Sequence, residues 1–218
     1  MQLRGMEFGM VIQTDRDKKS TNSIVKWGAG AVLEEEGGSG GEFFPVGKNS
    51  PRCTIVSIPD PIDGDYSDFV ARAHEALSGI GEKTIPIAIE LSVLVPPEIA
   101  AEISRDSACD AVYLSGEIPW NSIPEQARAV FFRTTVSPYT SMRGGFVSGK
   151  YLLPLSGEWI RQCRRQGMAK PIIVGGGVLR PRDAAALVES GASALCIDTA
   201  KRLRPWNVFR IVRRVSRL

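Results

Sequence analysis

The chain has 218 residues, of which 43% are hydrophobic and 23% charged, and its formal net charge is +3. That length is enough for one globular domain with a sizeable core, so residues 1–218 are treated as a single domain. No apolar run approaches the ~18 residues that a membrane span needs, and no signal-peptide pattern follows the first residues. These features predict a cytoplasmic protein with no membrane partner.

The four cysteines are widely scattered and form no Cys-x-x-Cys pair, and His74 is the only histidine. A zinc site is therefore not expected, and reduced thiols in a cytoplasm are the better interpretation. His74 lies in a predicted helix with no nucleophile or metal partner near it in sequence. We predict no metal site, and His74 is a poor catalytic candidate.

The first third of the chain predicts a strand over residues 6–12, a helix over 22–27 and a glycine turn into a buried strand over 28–33. Three glutamates follow at 34–36. Carboxylates at a strand end can bind a cation, although a solvated acidic loop is the commoner explanation. Residues 43–61 read as a long loop with a short strand near 54–58.

From there strands and helices alternate at intervals typical of βαβ units. The first predicted helix is capped by Ser67 or Asp68 and runs through Leu77. Two more helices are predicted over 96–103 and over 155–166. The predicted strands cover 85–91, 110–114 and 129–133, and a glycine-rich loop spans 144–149.

The most informative stretch begins with a short apolar strand over residues 171–174. Three glycines at 175–177 come next, where backbone can approach a ligand closely and expose amide N–H groups. After a helix, a second buried strand over 194–197 ends in Asp198 and Thr199. In a (β/α)₈ barrel the loops after the last two strands form the usual phosphate site. The spacing therefore predicts a small-molecule ligand that carries a phosphate.

Two parallel-sheet architectures compete for this pattern. A doubly wound sheet normally has its phosphate glycines after the first strand, whereas here they follow the penultimate strand. We therefore predict an α/β fold of the TIM (β/α)₈-barrel type. Only seven strands are convincing where a barrel needs eight, so one βα unit is abbreviated or missing. The open strand edges of such a barrel predict a homo-oligomer.

The last 18 residues carry seven basic side chains and no acid, whereas the rest of the chain holds 20 basic and 24 acidic residues. Such a tail can contact nucleic acid or anionic lipid. It also places Trp206, Phe209, Val212, Val215 and Leu218 at helical spacing, which favours a final helix docked on the body. No groove-reading motif accompanies the charge, so a nucleic-acid partner is not expected.

Residues 144–149, with Pro154 five positions on, resemble the Gly-Gly-x-Ser-Gly…Pro loop of the dihydroorotate dehydrogenase family. Residues 171–178 and 191–200 look like that family's flavin-phosphate region. The resemblance is strong over about residues 144–215 and weaker upstream. It implies a (β/α)₈ barrel with FMN as cofactor at the carboxyl ends of the strands.

The resemblance assigns five residues to the FMN phosphate site, namely Ser148, Gly149, Gly176, Gly177 and Thr199. A sixth residue there, Asp198, stands where the family has a glycine. Its carboxylate would repel a phosphate dianion unless it is solvated, paired or turned away.

The substrate side resembles the family less. The position of the family's catalytic base falls on Ile118, which cannot take a proton. Its lysine beside the flavin falls near Glu35, which reverses the charge. The next lysine-bearing strand has no counterpart after Trp120. Substrate-side candidates remain at Asn49, Ser115 and Thr134.

Two hypotheses follow. The first is an FMN-dependent oxidoreductase acting on a small substrate other than dihydroorotate, because flavin chemistry belongs largely to the cofactor. The second is a barrel without flavin chemistry that binds another phosphate ligand or a partner chain, its glycines serving only tight turns.

Overall fold

The computed structural model describes residues 24–27, 30–33, 54–58, 61, 65–80, 86–137, 146–197, 200–201 and 204–218. The predictions made for residues 6–12, Glu35, Asn49, Asp198 and Thr199 lie outside this part of the chain. No helix among the described residues is long and apolar enough to cross a membrane.

Strands and helices are labelled in chain order. The strands are β1 (Ile24–Trp27), β2 (Gly30–Leu33), β3 (Thr54–Ser57), β4 (Ile87–Leu91), β5 (Ala111–Leu114), β6 (Glu117–Pro119), β7 (Phe146–Gly149), β8 (Ile172–Val174) and β9 (Ala194–Leu195). The helices are α1 (Tyr66–Ser78), α2 (Pro97–Ile103), α3 (Glu125–Phe132), α4 (Leu153–Arg165), α5 (Pro181–Glu189) and α6 (Pro205–Val215).

The main sheet is parallel and has the order β3-β4-β5-β8-β9. This order follows the chain without the reversal that marks a doubly wound sheet. Helices connect successive strands, as in the repeating unit of a barrel. The prediction of an α/β fold of barrel type is confirmed, and the short strand predicted near 54–58 is its first described member.

Alternate side chains of the parallel strands point to opposite faces of the sheet. One set, which includes Ile89, Leu91, Val112 and Leu114, is fully buried against the helices in the main core. The helices of this core therefore cover one face of the sheet. The side chains between these residues point to the other face, which in a barrel is the interior.

A second, antiparallel sheet has the order β1-β2-β7-β6 and packs over a smaller core. In that core the rings of Trp120 and Phe132 lie 4.9 Å apart, and those of Phe132 and Tyr151 lie 5.2 Å apart. The sheet brings β7 beside β6, the strand that follows β5 of the parallel sheet. It therefore connects the glycine-rich segment at 146–149 to the main sheet.

Two predicted elements were wrong in type. Residues 129–133, predicted as a strand, lie largely in helix α3, because Pro124 and Glu125 start a helix there. Only one face of that helix is buried, since Phe132 is enclosed while Val130 is exposed. Residues 22–27, predicted as a helix, contain strand β1, whose partner β2 follows after a two-residue connection.

Three further predictions were wrong in detail. The strand predicted over 28–33 exists as β2, but it belongs to the antiparallel sheet. The glycine-rich loop at 144–149 contains β7, because its residues pair with β2. Helix α1 is capped by Asp65, which accepts hydrogen bonds from the amides of Ser67 and Asp68.

Arg164, at the end of α4, ties together the segments that enter β8 and β9. Its guanidinium donates to the carbonyl oxygens of Met168 at 2.7 Å and Lys170 at 2.8 Å. It also donates to the Gly191 carbonyl oxygen at 2.9 Å and to the Ser193 hydroxyl at 3.1 Å. One side chain thus fixes the approach to both strands whose following loops were predicted to hold a phosphate.

The final helix docks on the body as predicted, but the predicted face was wrong, because Trp206, Phe209 and Val212 are exposed. Ile211 of α6 is buried in the main core, and Val208 and Val215 pack against it. The side-chain amide of Asn207 donates to the Leu179 carbonyl oxygen at 2.8 Å. These contacts hold α6 against α5 and leave its opposite face to solvent.

Candidate site at the glycine loop

The loop after β8 begins with three glycines, Gly175, Gly176 and Gly177. The amide of Gly175 donates to the Leu114 carbonyl oxygen at 2.8 Å, which continues the pairing of β8 with β5. Gly176 and Gly177 then take φ values of 71° and 73°, a left-handed conformation that side-chain-bearing residues rarely adopt. The backbone therefore changes direction abruptly at the carboxyl end of β8.

This loop packs directly against two other backbone segments. A Cβ on Gly176 would overlap the backbone of Gly116, in the turn after β5. A Cβ on Gly177 would lie 2.8 Å from the carbonyl oxygen of Gly149, at the end of β7. Three segments remote in sequence thus meet at the predicted phosphate site. The glycines have a packing role there as well as any ligand role.

The amides of Gly176 and Gly177 have no acceptor among the described residues. Partly or fully buried N–H groups normally have a hydrogen-bond partner, because leaving one unmade costs about 1–3 kcal/mol. Two neighbouring donors in left-handed backbone form a concave site for an anion. This is the feature of the loop that suits a phosphate.

Ser148 and Gly149 lie beside the loop, as the resemblance implied, but the Ser148 side chain is already engaged. Its hydroxyl is buried and donates to the Gly116 carbonyl oxygen at 2.8 Å. It therefore braces the Gly116 turn against β7. Gly149 contributes its carbonyl oxygen to the packing against Gly177.

The interior face of the parallel sheet carries a polar cluster close to this loop. Tyr113 of β5 lies beside Glu90 of β4 in the sheet register. The Tyr113 hydroxyl lies against Gly175, where a Cβ would overlap it, and it is hydrogen-bonded to Cys196. Glu117 of β6 is also close enough to act on Tyr113 electrostatically.

Burial raises the pKa of the Tyr113 phenol well above its usual value. The neighbouring Cys196, Glu90 and Glu117 raise this pKa further. A phenol in that environment stays protonated at neutral pH, so it can donate a hydrogen bond and cannot serve as a general base.

Of the substrate-side candidates, the structure describes Ser115 and Thr134. Ser115 follows β5, and its amide donates to the Leu91 carbonyl oxygen at 2.8 Å. Thr134 follows helix α3 instead of a strand, and its hydroxyl bonds within a local turn to the backbone of Val136. Ile118, the predicted position of the base, lies on β6 and is buried in the smaller core. Thr134 is therefore not at the carboxyl end of a parallel strand.

Comparison with known proteins decides the family. The family described as "Dihydroorotate dehydrogenase" matches residues 63–218, which is more than half of the chain. The chain belongs to the dihydroorotate dehydrogenase family. No curated protein sequence matches it.

Two solved structures of dihydroorotate dehydrogenase from Eimeria tenella, one with ferulenol and one ligand-free, have a similar fold. Each is 16% identical to this chain over 76% of its length, with a TM-score of 0.53. The match covers 49% and 50% of those chains, so this chain spans about half their length. The likeness supports the barrel fold, and the described strands form an abbreviated barrel.

FMN is the cofactor of the dihydroorotate dehydrogenase family. The amides of Gly176 and Gly177, which have no acceptor among the described residues, suit its phosphate. Glu90 of β4 and Glu117 of β6 lie close enough to Tyr113 to act on it electrostatically, so acidic groups also lie near this loop.

Sequence reasoning did not identify Gly116, Tyr113, Glu90 or Cys196 as parts of this region. A polar residue in the middle of an apolar strand, as at Glu90 and Tyr113, was the available signal, because it marks the less buried face of the sheet. No local pattern pointed to Gly116, since its partner Gly176 is 60 residues away.

Proposed function

We propose that this chain binds a phosphate-bearing small molecule at Gly175–Gly177, and that FMN is the first candidate. The observation that carries the proposal is the pair of amides at Gly176 and Gly177, which lack an acceptor among the described residues. Family membership supports FMN in particular, because its phosphate is held at this loop in the resemblance derived from the sequence.

The activity proposed with FMN is that of an oxidoreductase acting on a small substrate other than dihydroorotate. Membership of the dihydroorotate dehydrogenase family supports the reaction class. Oxidation of dihydroorotate itself is not proposed, because Ile118 carries no proton-accepting group and is buried in the smaller core. The proposal keeps the protein in the cytoplasm, where its buried cysteines Cys109, Cys163 and Cys196 stay reduced.

A second candidate function is binding of a phosphate ligand without flavin redox chemistry. The close packing of Gly176 on Gly116 and of Gly177 on Gly149 favours it, because this packing gives the glycines a role that needs no flavin. The two candidates share the phosphate contacts and differ in what occupies the interior face. The phosphate contacts are therefore tested first.

We expect Gly177→Ala to weaken FMN binding about tenfold or more, because the added Cβ meets the Gly149 carbonyl oxygen and strains the left-handed backbone that presents the amide. Quenching of FMN fluorescence on titration measures the affinity, and a circular dichroism melt confirms that the variant is folded. Gly167→Ala is the matched control, because Gly167 has a φ of 82° and no heavy atom within 4 Å of an added Cβ. It should bind FMN as the unmodified chain does.

Equal affinities for the folded Gly177→Ala variant and the unmodified chain would contradict the proposed phosphate site. If the unmodified chain binds FMN but dithionite does not reduce the bound FMN, the result would favour the second candidate. A wild-type chain that binds no FMN and yet binds inorganic pyrophosphate would do the same.

A further inference from the structure

The outward face of α6 combines exposed aromatic side chains with arginines. Trp206 is 68% exposed and Phe209 72% exposed, although residues of this size are normally buried. Val212 continues the apolar strip at 41% exposure. These residues lie on the side of the helix opposite Asn207 and Ile211, which are buried on the body. They contribute nothing to the core.

Basic side chains lie among and beside these apolar ones and form a basic strip on the same exposed face. The exposed arginines of α6 and of the residues after it are Arg210, Arg213, Arg214 and Arg217. Within the described residues no carboxylate lies within ion-pair distance of any of them. The last 18 residues contain no acid at all. The strip therefore presents uncompensated positive charge next to exposed aromatic rings.

The charge continues from α6 onto the start of α5. An open groove of about 450 Å³ is lined by Arg180, Pro181, Arg182, Asn207 and Arg210. Arginine recognises phosphate through paired N–H donors, so three arginines around one groove suit a phosphate group. The groove therefore adds to the basic strip a depression about as large as a lipid headgroup.

We propose that this face of α6, together with the groove, docks on an anionic lipid surface. A helix whose exposed face combines Trp and Phe with several Arg side chains can lie in the plane of a membrane interface. The rings of Trp206 and Phe209 would enter the acyl boundary, and the arginines would contact headgroup phosphates. Such contact needs no spanning segment, so it agrees with the absence of one among the described helices.

Two other occupants fit this face less well. A second copy of the chain in a two-fold dimer would place arginines opposite arginines, which is repulsive. A single-stranded nucleic acid would stack on Trp206 and Phe209 but would leave the aliphatic Val212 without a contact. Val212 is 41% exposed. An anionic bilayer is the occupant that takes both strips.

The test is co-sedimentation of the full chain with vesicles of phosphatidylcholine alone or with about 30 mol% phosphatidylserine. We expect binding to the anionic vesicles only, and weaker binding as salt rises from about 0.1 M to about 1 M. Trp206→Ala/Phe209→Ala should reduce the affinity about tenfold or more. Arg213→Ala/Arg217→Ala should reduce it about fivefold per arginine.

Matched controls distinguish binding by this face from nonspecific hydrophobic binding. Val130→Ala/Leu155→Ala removes two apolar side chains that are 74% and 53% exposed elsewhere, and it should leave vesicle binding unchanged. Trp206→Phe should still bind, but it should lose the blue shift in tryptophan fluorescence that the unmodified chain shows on adding anionic vesicles.

Four results would overturn the proposal. The first is that the unmodified chain does not bind anionic vesicles at low salt. The second is that the Trp206→Ala/Phe209→Ala variant binds these vesicles as tightly as the unmodified chain. The third is a lipid-free dimer in sedimentation velocity that this variant abolishes, which would assign the face to a second copy. The fourth is tighter binding to a single-stranded oligonucleotide than to vesicles.

Discussion

Replacing Arg164 with alanine is expected to lower the free energy of unfolding by about 3 kcal/mol. The guanidinium donates to the carbonyl oxygens of Met168, Lys170 and Gly191, and hydrogen bonds from a charged donor contribute about 1.5–3 kcal/mol each without adding fully. Burial lowers the pKa of this guanidinium, but arginine remains protonated in proteins. Removing it leaves several carbonyl groups without their donor.

Chemical denaturation of Arg164→Ala measures this loss against Arg165→Ala. Arg165 is the next residue on α4. Its side chain is 69% exposed, and its guanidinium lies 3.7 Å from the Glu158 carboxylate. Exposed ion pairs of this kind contribute little, so the control should change stability by less than about 0.5 kcal/mol. Similar losses in the two variants would show that the carbonyl contacts of Arg164 do not stabilise the fold.

Gly116→Ala is expected to cost about 3 kcal/mol or more and to abolish phosphate binding. An added Cβ would overlap the backbone of Gly176 and lie close to that of Gly175, and backbone cannot rotate away as a side chain can. The turn after β5 and the glycine loop would have to separate. That movement would also break the hydrogen bond from Ser148 to the Gly116 carbonyl oxygen.

The matched control for this variant is Gly157→Ala. Gly157 is also buried, but its Cβ would meet the Ser190 hydroxyl at 3.2 Å and the end of Arg161 at 3.7 Å. Both can shift, and alanine favours the interior of α4 by up to about 1 kcal/mol over glycine. Thermal unfolding should therefore separate the variants clearly. A Gly116→Ala protein as stable as the Gly157→Ala protein would contradict the close approach of the two loops.

The parts of the fold that could be predicted from the sequence are those encoded locally. The buried strands at 85–91 and 171–174 each have a hydrophobic pattern within a dozen residues. The final helix was predicted from its helical spacing, but its buried face was not, because Trp206 and Phe209 are exposed. The barrel architecture followed from the position of the glycines late in the chain. The packing of Gly116 and Gly149 on the glycine loop could not be predicted, because both contacts join segments far apart in sequence.

The errors have a common physical cause. Residues 129–133 are rich in β-branched and aromatic side chains, which favour strands, but Pro124 starts a helix that buries Phe132 against Trp120. Residues 144–149 read as a loop because of their glycines, yet residues 146–149 pair with β2 more than 110 residues earlier. In each case a tertiary contact outweighs the local preference.

The candidate site was predicted in part for the same reason. Gly176 and Gly177 were identified because their role depends on their own backbone. Ser148 was identified as a phosphate neighbour, but its buried hydroxyl donates to Gly116. The cluster of Tyr113, Glu90 and Cys196 arises only when β4, β5 and the end of β9 come together, so no single stretch of sequence predicts it.

If the glycine loop of this dihydroorotate dehydrogenase-family chain binds a phosphate group, FMN must bind more tightly than riboflavin, because the two ligands share the flavin ring and differ by the phosphate. Parallel fluorescence titrations with FMN and with riboflavin measure this difference. We expect FMN to bind about tenfold or more tightly than riboflavin. Equal affinities for the two ligands would contradict a phosphate site at the glycine loop.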